Sequence, residues 1–327
     1  MAEGTPSLST ILDGSVPVVG NRERLEAVAI TRGRPLVALA ASPRVRLDSA
    51  WIPQLYDILS GLAGETFDLF LGPLGPHARV SEAERAGDSV GEAGRLTGLL
   101  ADHGRYEALV PLEASPAATL MALGADRVWL GPAATLAPLL PPDAPDATAR
   151  ALLELLAAAP PETRPAALAR WWGEYDPRTL GLAIRQRHDA MALARRCLRS
   201  GGAPPEAAAG IAAGFTAIEE PGLALGLADC RTLGLPVHPP GPGLYRSLVA
   251  LHRYYARMLE VEGEMNFDQR RYAVAYDAFI DTPSERRVLL RVTRADDHGR
   301  PLRESPTVWR WVRPSGREIA IDQVMEL

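Results

Sequence analysis

Ser115 is where nucleophilic chemistry would start in this chain. It lies in the run Ala114-Ser115-Pro116-Ala117-Ala118, directly after the apolar segment Ala108-Leu109-Val110-Pro111-Leu112. A serine attacks only when a neighbouring base takes its proton and donors face the developing oxyanion. The nearest histidine in sequence is His77, which follows the loop Gly72-Pro73-Leu74-Gly75-Pro76. A Ser115–His77 pair would define a hydrolase. The competing reading makes Ser115 the N-cap of a helix with Pro116 at its first position, and the local pattern favours it. A lone loop histidine is, by the same weighing, more often a solvated one. All 35 basic residues are arginine, so no lysine base exists in the chain. His103, His188, His238, His252 and His298 lack metal-ligand spacing, and Cys197 and Cys230 stand alone. Neither a metal, a cofactor nor a disulfide framework is expected.

The elements that would position Ser115 read as alternating strands and helices. Pro35 to Ala40, Phe67 to Leu71, Ala108 to Leu112 and Asp126 to Leu130 are short apolar runs suited to buried parallel strands. Between the first two, Asp48-Ser49 precedes a helical pattern of Trp51, Leu55, Ile58, Leu59 and Leu62. Val80 to His103 is helical in patches, weakened by Gly87, Gly91, Gly94 and Gly98. Thr119 to Leu123 continues as a helix until Gly124. The repeated β-α order implies parallel pairing and a site at the strands' carboxyl ends.

The stretch from Tyr106 to Pro142 resembles the serine dehydrogenase proteinase family, within the wider Clp-protease/crotonase-like fold that also holds the signal peptide peptidases. That family reads approximately V-P-x-x-A-K-S-A-(A/G)-T-L-I-A-L-G-A-D-E-I-x-M-G-P, followed by L-G-P-I-D-P-Q. Val110-Pro111, Ala114, Ala117-Ala118-Thr119-Leu120, Ala122-Leu123-Gly124-Ala125-Asp126 and Gly131-Pro132 fall into it without a gap. The likeness extends over roughly Pro35 to Glu260. The alignment also shows what is missing. The family's serine falls on Pro116 and the lysine before it on Ser115. Its H-T-P-G-G oxyanion loop falls on Gly72 to Pro76, where Pro76 replaces the second glycine after Gly75 and has no N–H to donate. The acidic residue of the downstream segment is Leu140, and the family's later histidine is absent from Ile218 to Gly222. The resemblance therefore implies a pseudoenzyme with vestigial positions at Ser115, Pro116, Gly75, Pro76 and Leu140. It also implies trimers or higher oligomers, or a second protein subunit as partner. The alternative is a rearranged hydrolase around Ser115 and His77. A pocket for an acyl or other small ligand has only the fold behind it.

The remaining chain is read as a helical half and a β-rich tail. Asp146 to Ala159, Arg164 to Trp172, Asp176 to Arg199, Pro205 to Ala213, Leu223 to Leu233 and Leu244 to Glu262 fit helices. His238 to Gly243 reads as a linker. Tyr272 to Ile280, Arg287 to Arg294, Thr307 to Val312 and Glu318 to Val324 fit strands, with a turn at Asp296 to Gly299. Trp171-Trp172 suits packing at a helix end. Trp309 and Trp311 share one strand face and offer either a small β core or an aromatic partner surface. The arginines at 185, 187, 195, 196 and 199 offer a face for an acidic partner, with a solvated face as the default. The expected organisation is an N-terminal arm (1–30), a crotonase-like α/β core (31–142), a helical part of the same domain (143–262) and a small antiparallel β appendage (263–327). The formal net charge of −5 argues against nucleic acid. With no signal segment or membrane span in the sequence, the expected location is cytoplasmic.

Overall fold

The computed structural model describes residues 19–45, 47–62, 64–74, 89–139, 160, 162, 177–216, 224–260, 262–267, 270–296, 302 and 308–312. The expected helices over 146–159 and 164–172, the tryptophans at 171 and 172, the strand over 318–324 and the turn after Asp296 lie outside these residues. The fold is mixed α/β. Four short strands begin it: β1 (Leu36–Ala41), β2 (Phe67–Leu71), β3 (Tyr106–Val110) and β5 (Arg127–Leu130). They pair in parallel, with Leu36 opposite Asp68, Phe67 opposite Tyr106 and Glu107 opposite Arg127. The runs of β1, β2 and β3 are buried on both faces, which is why no polar alternation marks them in sequence.

Between them run α2 (Trp51–Ser60), α3 (Ser89–His103) and α4 (Pro116–Leu123), and after β5 come α5 (Pro177–Ser200), α6 (Pro205–Phe215) and α7 (Leu227–Thr232). Side chains of α2 to α6 pack with Val37, Leu39, Leu69, Ala108 and Val128 in one core layer. Alternate strand residues point the other way. Leu36, Ala38, Phe70 and Leu109 meet α1 (Val19–Arg32) and α8 (Pro242–Met258) through Leu25, Val28, Leu248 and Leu251. The sheet is thus covered on both faces. A separate two-stranded parallel sheet joins β4 (Glu113–Ala114) to β6 (Thr135–Leu136).

The expected appendage is joined to this core instead of hanging beside it. Strands β8 (Glu262–Phe267), β9 (Arg270–Asp281), β10 (Arg286–Arg294) and β11 (Val308–Val312) are antiparallel, but β9 pairs with β1. Ala38 lies opposite Asp281 and Ala41 opposite Ala278. One sheet of nine strands results, in the order β11-β10-β9-β1-β2-β3-β5 and then β7 (Val237–His238), with β8 also on β9. The physical reason is that β1 would otherwise leave a fully buried apolar strand with an open edge.

Three further expectations change. The N-terminal arm is helical from Val19, because Leu25 and Val28, three residues apart, bury one face of α1 against α8. The linker at His238 begins as a strand: β7 (Val237–His238) pairs with β5 at Val128 and Trp129. Gly94 of α3, expected only to weaken its helix, allows close packing. A Cβ on Gly94 would lie 2.8 Å from Leu193 Cδ2 of α5, so the two helices approach through that gap. Among the described residues no helix is long and apolar enough to cross a membrane.

Candidate functional site

The carboxyl ends of β1, β2 and β3 bring Ser42, Gly72 to Leu74 and Ser115 to one edge of the sheet. At the β2 end the chain folds back on β1: the Gly72 N–H donates to the Leu39 carbonyl (2.9 Å), and the Ala41 N–H donates to the Pro73 carbonyl (2.6 Å). Gly75, Pro76, His77 and Leu140 lie outside the described residues. At the β3 end, Gly131 must come close to Pro111. A Cβ there would strike the Pro111 carbonyl oxygen and lie 2.9 Å from Tyr245 Cε2.

Ser115 takes the cap geometry. Its backbone is extended (φ −61°, ψ 168°), its Oγ accepts from the Ala118 N–H at 3.3 Å, and Pro116 occupies the first turn of α4. The Thr119 N–H donates to the Ser115 carbonyl at 2.7 Å. With Pro116 lacking an N–H, these donors of the helix start serve the cap. Ser115 is 8% exposed. Pro116 offers no nucleophilic atom.

Sequence reading missed a polar cluster on this edge. Ser42, just past β1, donates from Oγ to Asp277 Oδ1 (3.2 Å) and accepts from the Arg44 N–H (3.3 Å). Arg291 Nε donates to Asp277 Oδ2 at 3.1 Å. Asp277 sits where the β9–β10 register shifts. The carboxylate that could orient a base is held by arginine. The cluster fixes the β1–β9 junction, and Ser42 remains an ordinary hydroxyl. No local signal reveals it, since Ser42 and Asp277 are 235 residues apart.

Two charged networks lie elsewhere in the layer shared by α1 and α8. Arg32 at the end of α1 donates to both oxygens of Asp68 (2.7 and 3.1 Å) and to Glu107, and lies 4.5 Å from the Trp129 ring centroid. Trp129 Nε1 donates to Glu107 at 2.6 Å. Burial pushes the Asp68 carboxyl above its usual range against the pull of Arg32. Glu107 is also pushed up by burial, but the Trp129 N–H with Arg34 and Arg32 brings it below the usual range. In the second network, fully buried Asp281 accepts from Arg286 (2.8 Å), Tyr255 Oη (2.8 Å) and Asn21 Nδ2 (2.7 Å). Desolvation raises Asp281, while Arg286 is the main opposing influence. Both networks tie α1 to the sheet.

Trp309 is on β11, and Trp311 is half-buried, its ring edge-on to the buried Trp51 ring at 5.0 Å. Trp311 therefore packs inward. Two clefts lie away from Ser115, one at the starts of β3 and β5 and the other between α3 and α5. One of about 230 Å³ is lined by His103, Arg105, Tyr106, Gly124 and Asp126. Its neighbour, about 300 Å³, is lined by Arg95, Thr97, Asp102, Arg196, Cys197 and Ser200. Burial pushes the Cys197 thiol up to about 11, so it is not a thiolate at neutral pH. Among the described residues no three His, Cys, Asp or Glu side chains are arranged to hold a metal ion. No family model, no curated protein and no solved structure matches the chain.

Proposed function

We propose that this chain is a catalytically inactive, serine-protease-like protein of the crotonase/Clp-protease fold that serves as an assembly or partner-binding subunit in the cytoplasm. The carrying observation is the Ser115–Pro116 pair. The only hydroxyl at the family's nucleophile position is displaced by one residue and spent on capping α4, and the next residue is proline. Two features of the architecture support the fold reading. The parallel strands advance in one direction, β1-β2-β3-β5-β7, and a small second sheet, β4–β6, lies beside the cap. Self-association as a trimer or larger ring, or pairing with another subunit, is the role left to such a chain once its chemistry is lost.

A serine hydrolase acts through parts that work as a unit, and loss of any one costs several orders of magnitude in rate. The test is labelling of the pure protein by a fluorophosphonate probe, alongside an unfolded casein-type substrate. The expected result is no labelling and no cleavage by a folded oligomer. Stoichiometric labelling that disappears in Ser115→Ala would overturn the reading and promote the hydrolase built on Ser115 and His77. A single species near the 35.1 kDa chain mass in light scattering would count against self-association.

A further inference from the structure

We propose that the solvent face of α5, with the cleft beside it, docks an acidic segment of a partner protein. Arg185, His188, Arg196 and Arg199 recur at helical spacing and are all exposed, with Arg195 alongside them and Asp189 the one exposed acidic residue among them. The stripe from Arg185 to Arg199 is about 21 Å long, at 1.5 Å per residue. No arginine of this stripe forms an ion pair among the described residues. Arg187, half-buried, lies off it. Cations in a last turn favour the helix dipole, which accounts for Arg199 but not for Arg185 at mid-helix.

The cleft distinguishes this stripe from an ordinary solvated face. Arg196 belongs to the stripe and also lines the cleft of about 300 Å³, opposite Arg95 of α3, with the hydroxyls of Thr97 and Ser200 nearby. Gly94 and Gly98 of α3 add no side chains to its wall. Among the described residues Arg95, itself mostly exposed, is held by a pair with Glu92 at 3.3 Å, which an incoming carboxylate can replace. Asp102 is the one acidic lining residue, and Cys197 stays neutral. A glutamate or aspartate of the partner would enter between Arg95 and Arg196 while its neighbours follow the stripe.

Size selects a short acidic protein segment over longer polyanions: the cleft between Arg95 and Arg196 admits a single carboxylate, and the stripe spans only about 21 Å. The stripe carries no Phe, Tyr or Trp on which bases could stack, His188 being its one ring, and no exposed apolar face for a bilayer. A second basic stripe on α8, formed by exposed Arg246, Arg253 and Arg257, lines neither of these clefts and serves as the internal control.

This inference rests on the partner-binding reading but is tested apart from it: probe labelling judges the lost chemistry, and peptide binding judges this surface. Anisotropy of a fluorescein-labelled oligo-glutamate peptide would be measured on the full chain. Saturable binding is expected, weakening between about 0.05 and 0.15 M salt. Arg196→Glu with Arg199→Glu should weaken it at least about tenfold, and Arg95→Gln about threefold or more, whereas Arg253→Glu with Arg257→Glu should change it less than about twofold. Absence of saturable binding, or equal losses on α5 and α8, would overturn the proposal. So would tighter binding of a single-stranded oligonucleotide or of phosphatidylserine vesicles by the same arginines.

Discussion

Replacing Arg286 by methionine removes the one cation that faces the buried Asp281 carboxylate. Asp281 has a side-chain exposure of 1% and Arg286 of 13%, with Nη2 2.8 Å from Oδ2, so solvent screening is slight. Breaking such a pair from one side costs about 3–5 kcal/mol, because the remaining charge stays buried. Tyr255 and Asn21 still donate to Asp281 in the variant and hold the loss within that range. The pH dependence follows from the direction of the shift. Burial, the largest influence, already holds Asp281 above its ordinary value, with Arg286 opposing. Its contribution to stability is therefore greatest at acid pH and declines as pH rises through the raised value. Loss of Arg286 raises it further, so the variant's deficit is largest at neutral pH and shrinks on acidification. Urea unfolding followed by tryptophan fluorescence at pH 7.5 and 5.5 measures both effects. Adding Asp281→Asn to the variant should recover much of the loss. A deficit below about 1 kcal/mol at pH 7.5, or one that grows at pH 5.5, would refute the reasoning.

The other predictions concern the candidate site. Ser115→Ala should cost about 1 kcal/mol through loss of the α4 cap, and Ser115→Asp should retain most of it, as read from thermal melts. Equal losses in the two variants would contradict the cap. Gly131→Ala places a Cβ against the backbone of Pro111, which cannot swing aside as a side chain can. It should lower stability by about 2 kcal/mol or more, and a neutral substitution in the same urea assay would show that the β3 and β5 ends are not in close contact.

What could be read from the sequence depended on whether the signal was local. The runs at Leu36–Ala41 and Phe67–Leu71 announce themselves because parallel strands buried on both faces need continuous apolar residues. The Ser115–Pro116 start of α4 is equally local, since capping involves residues three apart. By contrast, α1 hides among Arg22, Glu23, Arg24 and Glu26, with Leu25 and Val28 as its main buried anchors. His238-Pro239-Pro240-Gly241 has the composition of a linker, yet the outer edge of β5 recruits Val237 and His238 into the sheet. Gly94 reads as a helix weakener until Leu193 is seen in the space it leaves. The Ser42–Asp277–Arg291 cluster and the union of β1 with β9 depend on pairings across most of the chain, for which composition and periodicity carry no signal.

The pairing of β1 with β9 has a consequence for how the protein comes into being on the ribosome. Strand β1 acquires β2 on one side soon after both are made, but its other neighbour is Asp281 to Ala278. At 5–20 residues per second, the roughly 240 residues between them take about 10–50 s to synthesise. Throughout that interval Val37, Leu39 and Ala41 belong to a strand with one bare edge, although all are buried in the finished molecule. An unpaired apolar edge invites pairing with another nascent chain. Sealing of the β1 edge thus waits until β9 has been made. A ribosome that stalls short of β9 releases a chain with an open edge, suited to aggregation or to capture by a chaperone.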